Sequence, residues 1–245
     1  SFDKLIFAIW SQQWPRLKRN FSFCTGAIEP RSLDKQYLDV QIVPYRAFRE
    51  NSSFAIIDSI TSSEPPKESF EKWIDLIYED LKSPSLLRDF MATFGADVAA
   101  ERHSFKMLAE CFLFFEEIKP SLEDAIDFIC SRFSSPTEAF NLKSNVLEPS
   151  QPDKRYYLPK YREDEILYFL STTQLYRSLD YTILKFESRL LDHFFTSPSV
   201  AIKLLERVLE AEPNPLGENV FRTLAESIDA DKIAAALEDS PNLLT

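Results

Sequence analysis

The stretch FEKWIDLIYEDL, residues 70–81, sets the pattern that most of this sequence follows. Its apolar residues recur at intervals of three and four, which places their side chains on one face of an α-helix. Ser69, or the proline pair before it, supplies a start signal for such a helix. The sequence therefore predicts an amphipathic helix whose apolar face consists of Phe70, Trp73, Ile74, Ile77, Tyr78 and Leu81.

The same helical period continues towards the C-terminus. Further helices are predicted near residues 84–95, 97–117, 121–133, 136–147, 163–172, 176–195, 198–211, 215–228 and 230–239. The segment CFLFFEEI is apolar around most of its circumference, which predicts a central, nearly surrounded helix. Glycine occurs at only 3 positions, whereas 15 prolines fall mainly between apolar runs, where they mark helix starts and ends.

The N-terminal part of the sequence has a different pattern. Residues 2–19 predict one helix, or two helices with the second restarting at Pro15. The segments FSFCTGAI, YLDVQIVPY and SFAIIDSI are short and rich in β-branched and aromatic residues. They predict strands near residues 21–28, 37–45 and 53–60, separated by loops. The predicted fold is mostly α, a helical bundle or an irregular α-solenoid, with a small three-stranded β element near the N-terminus.

Three regions are predicted along the chain. Residues 1–62 would form the helix and β element, residues 63–150 a helical subdomain, and residues 151–245 a second, solenoid-like helical subdomain. Residues 147–165 lack apolar periodicity and contain three prolines, so they predict a loop or linker. Because the sequence starts without an initiator methionine and at a helix, we expect it to belong to a longer protein.

Charge and composition exclude several classes of protein. The net charge is -11, with a balance of +3 over residues 1–50 and -14 over the remainder. Such an acidic body disfavours nucleic acid and anionic lipid, which need clustered cations. No run of about 18 apolar residues occurs, so no membrane span is predicted. Three widely spaced cysteines without a disulfide pattern indicate a reducing cytoplasm.

No cofactor, metal site or catalytic residue is predicted. Gly26, Gly95 and Gly217 are isolated, so no glycine-rich loop can wrap a phosphate group. Zinc sites need closely spaced ligands, and neither His103 nor His193 stands near a cysteine or another histidine. We therefore predict that this protein is not an enzyme.

Cys24 is the basis of one enzymatic alternative, a cysteine-dependent hydrolase. No glycine elbow precedes Cys24, and no predicted helix follows it to lower the pKa of its thiol. The favoured interpretation is an inert cysteine in a buried strand, packed among Phe21, Phe23 and Ile28. Asp124 and Asp127 share a helix face, but acidic residues in a first helical turn are common without any chemistry.

Two segments interleave cations with aromatic residues and are candidate interaction surfaces. Aromatic residues among cations can hold single-stranded nucleic acid, and tyrosine and arginine are also enriched at protein interfaces. The acidic body favours protein contact, with nucleic-acid binding as the alternative, and a plain loop with inward-packed tyrosines remains open for the second segment. The candidate residues are Arg16, Lys18 and Arg19 in the first segment, and Lys154, Arg155, Tyr156, Tyr157, Lys160, Tyr161 and Arg162 in the second.

The string IWSQQWPRLKRNFSFCTGAIEPR, residues 9–31, resembles a segment of the bacterial GTPase-associated proteins, which are encoded beside NTPases of immune-like conflict systems. There, a tryptophan-bearing helix leads into an arginine-bearing strand, here Arg19 to Thr25. Residues 212–244 resemble helical units of these proteins and of STAND-type NTPase sensors. The resemblance implies a helical scaffold, adaptor or sensor module in a bacterial cytoplasmic protein, with an NTPase as an expected partner. It implies no catalytic residue and no cofactor.

Overall fold

The computed structural model describes residues 2–33, 36–44, 71–148, 158–179 and 181–227, together with residues 231 and 234. Over this part of the chain the protein is mostly helical, as predicted. The contacts divide the chain into two compact units, residues 1–113 and residues 114–245. The predicted division at residues 62 and 150 stays a prediction, and the two units are described separately below.

Five helices begin in the described part of the first unit. Pro15 occupies the first position of the second of them, where its missing N–H costs no hydrogen bond. The Ser85 hydroxyl caps the fourth by accepting from the Leu87 N–H at 3.2 Å. The helices are α1 (Phe2–Ser11), α2 (Pro15–Asn20), α3 (Lys72–Lys82), α4 (Leu86–Phe94) and α5 (Arg102–Ile118). The pair predicted at the N-terminus and the helix predicted near residues 70–81 are thus confirmed over the described residues.

A tryptophan lies at the centre of the first unit. Trp14 is fully buried and stacks on Phe105 with 6.3 Å between ring centroids. Gly95, directly after α4, allows this packing, because a Cβ there would lie 2.7 Å from the Met91 carbonyl oxygen and closer still to the Trp14 ring. Large apolar side chains of α4 and α5 complete the core, namely Leu87, Phe90, Met91, Phe94, Leu108 and Phe112.

The side chain of Asp80 is the buried polar centre of α3. Its Oδ1 accepts hydrogen bonds from the N–H and hydroxyl of Ser85, both at 2.7 Å. Its Oδ2 accepts from Gln12 Nε2 and Arg88 Nε, both at 2.8 Å. Burial raises the pKa of Asp80, but these hydrogen bonds outweigh burial and hold the pKa below its ordinary value. The carboxylate therefore connects α3 to α4 and to the turn between α1 and α2.

The small β element differs from the predicted one. β1 (Phe23–Cys24) pairs in parallel with β4 (Val40–Gln41), so two of the predicted strand regions do pair, over two residues each. Residues 29–36, predicted as a loop, contain β2 (Ser32–Leu33), which pairs antiparallel with β3 (Gln36–Tyr37). The third predicted strand, 53–60, lies outside the described residues. The three-stranded element is therefore not confirmed, and a small two-stranded parallel sheet stands in its place.

The second unit contains further helices that begin at residue 122 and beyond. Ser121 caps the first of them, Thr182 caps another, and Pro198 occupies the first position of a third. These helices are α6 (Leu122–Arg132), α7 (Phe140–Val146), α8 (Glu163–Thr172), a 3₁₀ helix (Gln174–Leu179), α9 (Ile183–Thr196), α10 (Pro198–Glu210) and α11 (Pro215–Ser227).

Several predicted boundaries are corrected. The helix predicted from residue 136 begins at Phe140, because Ala139 has a φ of 51° and so cannot continue a right-handed helix. The helix predicted over 176–195 is divided into the 3₁₀ helix and α9. The helix predicted from residue 97 begins at Arg102. The helix predicted over 230–239 lies outside the described residues, apart from residues 231 and 234.

α8, α9, α10 and α11 form the core of the second unit. Each of α8 and α9 contacts both α10 and α11. Asn214, before α11, is buried, and its side chain donates to the Leu170 carbonyl at 2.7 Å and accepts from the Leu216 N–H at 2.8 Å. Its backbone N–H donates to the Ser171 carbonyl at 2.8 Å. The start of α11 is therefore joined directly to the end of α8.

Among the described residues, no helix is both long enough and apolar enough to cross a membrane.

Candidate interaction surfaces

α1 exposes most of its large apolar side chains. Of its ten residues, all described, only Ile6 is fully buried. The exposed fractions are 51% for Phe2, 49% for Leu5, 60% for Phe7 and 37% for Trp10. The helix thus contacts the rest of the first unit through a narrow strip around Ile6. The apolar side chains on both sides of that strip are exposed to solvent.

Lys18 of α2 adjoins this apolar region. Its Nζ lies over the Trp10 ring, 4.7 Å from the centroid. Trp10 Nε1 in turn donates to the Lys18 carbonyl oxygen at 3.3 Å. These two contacts join the exposed face of α1 to the cations of α2, so they form one continuous surface. We call it the α1–α2 surface, and it consists of Phe2, Leu5, Phe7 and Trp10 with Arg16, Lys18 and Arg19.

The arginines of the α1–α2 surface are available for contact. Both Arg16 and Arg19 are exposed. Their only hydrogen bonds among the described residues are long ones to backbone carbonyls, from Arg16 Nη1 to Ala96 at 3.4 Å and from Arg19 Nε to Pro15 at 3.5 Å. Neither forms an ion pair with a described residue. The structure therefore brings together all three cations that the sequence singled out in this segment.

The second predicted segment is described only in part. Lys154, Arg155, Tyr156 and Tyr157 lie outside the described residues. The Tyr161 hydroxyl donates to the Pro120 carbonyl at 2.9 Å, and burial, with the nearby carboxylates of Asp124 and Glu165, raises the pKa of Tyr161. In the described part of this segment, the tyrosine therefore anchors the chain on the start of α6, as the inward-packed interpretation predicts. Lys160 is exposed, and Arg162 binds Asp164 with both Nε and Nη2 at 2.9 Å.

A cleft between α8 and α10 was not predicted from the sequence. Its volume is about 380 Å³. Arg207 stacks on the Tyr168 ring at 4.1 Å from the centroid, whereas Lys203 is exposed and has no partner among the described residues. The signal in the sequence is the spacing of Lys203 and Arg207, which puts both on one face of α10. The lining residues are Arg162, Asp164, Glu165, Val200, Lys203, Leu204 and Arg207.

Arg189 forms a bidentate, largely buried ion pair with Glu163 in the second unit, and this contact too was missed. It binds both carboxylate oxygens of Glu163, at 2.8 and 2.6 Å, and Nη1 also donates to the Leu147 carbonyl and to the Tyr181 hydroxyl. Burial lowers the pKa of the adjacent His193, whose Nε2 is buried without a hydrogen-bond partner in the described chain. Because the guanidinium is saturated by internal acceptors, this cluster joins α8 to α9 rather than presenting charge to a ligand.

The residues considered for catalysis have ordinary surroundings. Cys24 is half-buried in β1, but Phe23 is 42% and Ile28 80% exposed, so the predicted packing among buried apolar neighbours is wrong. Asp124 accepts from the Ser121 hydroxyl at 2.6 Å and belongs to the cap of α6. Over the described ranges, no group of three histidine, cysteine, aspartate or glutamate side chains could hold a metal ion.

Comparison with protein-family models, with curated proteins and with solved structures finds no match to this chain.

Proposed function

We propose that this chain is a non-enzymatic helical scaffold or adaptor that binds another protein through the α1–α2 surface. The observation that supports it is the exposure of Phe2, Leu5, Phe7 and Trp10, between 37% and 60%, on one ten-residue helix. Contiguous exposed apolar side chains with a polar rim are typical of protein-binding sites. Tryptophan and arginine, both present in this surface, are the residues most enriched at the energetic centres of interfaces.

Burial of the apolar side chains on this surface supplies a modest part of the free energy of binding. Full burial of a large apolar side chain contributes about 1.5–3 kcal/mol, so covering four half-exposed ones contributes on the order of 4 kcal/mol. The cations can add hydrogen bonds to carboxylates of a partner, which are stronger than neutral hydrogen bonds. A partner that covers the α1–α2 surface alone would therefore bind reversibly, as expected for an adaptor.

The sequence resemblance supports a narrower form of the proposal. The string around Arg19 to Thr25 resembles a segment of bacterial GTPase-associated proteins. We therefore propose a cytoplasmic role in an NTPase-linked conflict system, with an NTPase as the first partner to test. The chain would act there as a scaffold, adaptor or sensor module and not as the catalyst.

Charge substitution on α1 tests the proposal. Immobilised wild-type chain captures proteins from bacterial cytosol, the captured protein is identified and purified, and its dissociation constant is measured by calorimetry. Leu5→Asp with Phe7→Asp is expected to weaken that binding by at least about tenfold, because two apolar contacts are replaced by charges. A far-UV circular dichroism spectrum checks that the variant is folded.

The matched control is Phe195→Asp with Leu209→Asp, which changes two apolar residues that are equally exposed, at 52% and 59%, in the second unit. It is expected to bind the purified partner as the wild type does. Equal binding by the α1 variant, or loss of binding in the control alone, would contradict the proposed surface. Turnover of a nucleotide, peptide or ester by the purified chain would contradict the non-enzymatic role.

A further inference from the structure

The net positive and the net negative charge lie in different parts of the chain. Residues 1–20 carry four cations and one carboxylate, a balance of +3, and the other residues carry 24 cations and 38 carboxylates, a balance of -14. The positive part coincides with α1 and α2, so the exposed apolar side chains of α1 stand beside a basic stretch of an acidic protein. Within about a Debye length of this basic stretch, its cations favour a partner segment of negative charge.

The geometry of the surface favours a helical partner. α1 has ten residues and is therefore about 15 Å long, which matches about three turns of a second helix lying along it. Its apolar side chains follow helical spacing, with Phe2 and Leu5 on one side of Ile6 and Phe7 and Trp10 on the other. The cations of α2 continue from Trp10 through Lys18. Apolar contact on the Phe7 and Trp10 side, with cations along its edge, fits an amphipathic helix that carries carboxylates beside its apolar stripe.

A symmetric pair of copies fits the surface less well. The α1–α2 surface contains three cations and no carboxylate, so a twofold dimer through it would bring six cations into one interface without a carboxylate of that surface to pair with them. Like charges that face each other across an interface oppose association. An acidic segment of a different protein satisfies both the apolar and the cationic parts of the surface.

We propose that the α1–α2 surface binds an acidic amphipathic helix of another protein. The apolar side chains of α1 cover the apolar stripe of that helix, and the guanidinium groups of Arg16 and Arg19 bind its carboxylates. This inference rests on the proposed protein-binding function and adds the chemical class of the partner.

The experiment measures binding of a fluorescein-labelled peptide of about 18 residues by fluorescence polarisation, with leucine on one helical face and glutamate at the other positions. The matched peptide carries glutamine in place of each glutamate, so that it is neutral and is not drawn to the acidic body of the chain. Wild-type chain is expected to bind the glutamate peptide more tightly than the glutamine peptide, and less tightly as salt rises from about 50 to about 300 mM. Arg16→Glu with Arg19→Glu is expected to weaken binding of the glutamate peptide by about tenfold or more.

Lys119→Glu with Lys185→Glu is the control, since it makes the same change of net charge with two exposed lysines of the second unit that line none of the candidate surfaces. It is expected to leave the affinity for the glutamate peptide within about twofold of wild type, apart from a weak long-range effect. Equal binding of both peptides, an Arg16 and Arg19 variant that binds as wild type does, or loss of binding in the control would each overturn the inference.

Two further measurements test whether the α1–α2 surface binds a membrane or a second copy of the chain instead. The first is sedimentation with vesicles of phosphatidylcholine and phosphatidylserine. If the wild-type chain binds the vesicles, the Arg16 and Arg19 variant does not, and the glutamate peptide is not bound, the inference is overturned in favour of a membrane surface. Light scattering that shows self-association through the same residues would overturn it in favour of a second copy. If a purified partner requires Leu5 and Phe7 but is insensitive to salt and to the two arginines, the acidic class is wrong and the proposed protein-binding function stands.

Discussion

Replacing Gly217 with alanine tests the close approach of α11 to the end of α8. A Cβ at Gly217 would lie 2.8 Å from the Pro213 Cβ, 3.2 Å from the Ser171 carbonyl carbon and closer still to the Ser171 carbonyl oxygen. Contacts below 3.0 Å are essentially never seen for real Cβ atoms. Two of the three nearest atoms belong to backbone, so the clash cannot be relieved by rotating a side chain. The first turn of α11 must move.

The expected magnitude comes from three opposing contributions. In a helix without neighbours, glycine to alanine stabilises by about 1 kcal/mol, because alanine has the higher helix propensity. Inserting a methyl group into a packed contact costs about 1–3 kcal/mol. The movement also lengthens the hydrogen bond of 2.8 Å from the Asn214 N–H to the Ser171 carbonyl, which contributes about 1 kcal/mol. The net loss in free energy of unfolding is therefore about 1–3 kcal/mol.

Urea unfolding followed by far-UV circular dichroism measures this loss, with Gly26→Ala as the matched control. A Cβ at Gly26 meets no atom within 4 Å, and Gly26 does not have a positive φ. The midpoint for Gly26→Ala is expected to equal the wild-type midpoint or to lie slightly above it. The midpoint for Gly217→Ala is expected to lie clearly below it. If Gly217→Ala is as stable as wild type, helix propensity dominates and α11 does not approach α8 as closely as described.

Three other substitutions test separate contacts. Gly95→Ala is expected to destabilise by about 1–3 kcal/mol, because its Cβ would meet the Trp14 ring, and to shift tryptophan emission; an unchanged spectrum and midpoint would argue against that contact. The pKa of Asp80 lies below its ordinary value of 3.8 in the folded state, so its contribution to stability is present above that pH and is lost as the pH falls further. Asp80→Asn should therefore reduce the dependence of thermal unfolding on acid below about pH 4, and an identical pH profile would refute this. Arg189→Met removes the guanidinium that binds Glu163 and is expected to lower the free energy of unfolding, measured in urea, by about 2–4 kcal/mol. The double variant that also carries Glu163→Gln should recover part of that free energy.

Helix positions were largely predictable, because the signals for them are local. The prediction over residues 163–172 coincides with α8, and the helices predicted from residues 121 and 198 begin at Leu122 and Pro198. Some predicted helix boundaries were wrong, because the backbone conformation there has no recognisable signal in the neighbouring sequence. Ala139 adopts a left-handed backbone conformation, which a glycine at this position would have indicated but an alanine does not. The segment before Arg102 is not helical, although its apolar pattern allows a helix.

The candidate surface was half predictable. Arg16, Lys18 and Arg19 were identified because cations cluster beside a tryptophan in the sequence. The contribution of α1 was missed, because helical periodicity does not show whether an apolar side chain lies in the core or in solvent. Only the structure shows that Ile6 alone is buried among the described residues of α1 while Leu5 is 49% exposed.

The sequence by itself determined the mostly helical class, the positions of most helices, and the separation of a basic start from an acidic body. These follow from periodicity, capping residues and charge, each of which acts within a few residues. Only the tertiary structure decided which side of each helix is buried. In α3 the fully buried side chain is Asp80, whereas Tyr78 of the predicted apolar face is 56% exposed. Burial of that carboxylate depends on Gln12, a partner 68 residues away, and no local pattern records so distant a neighbour.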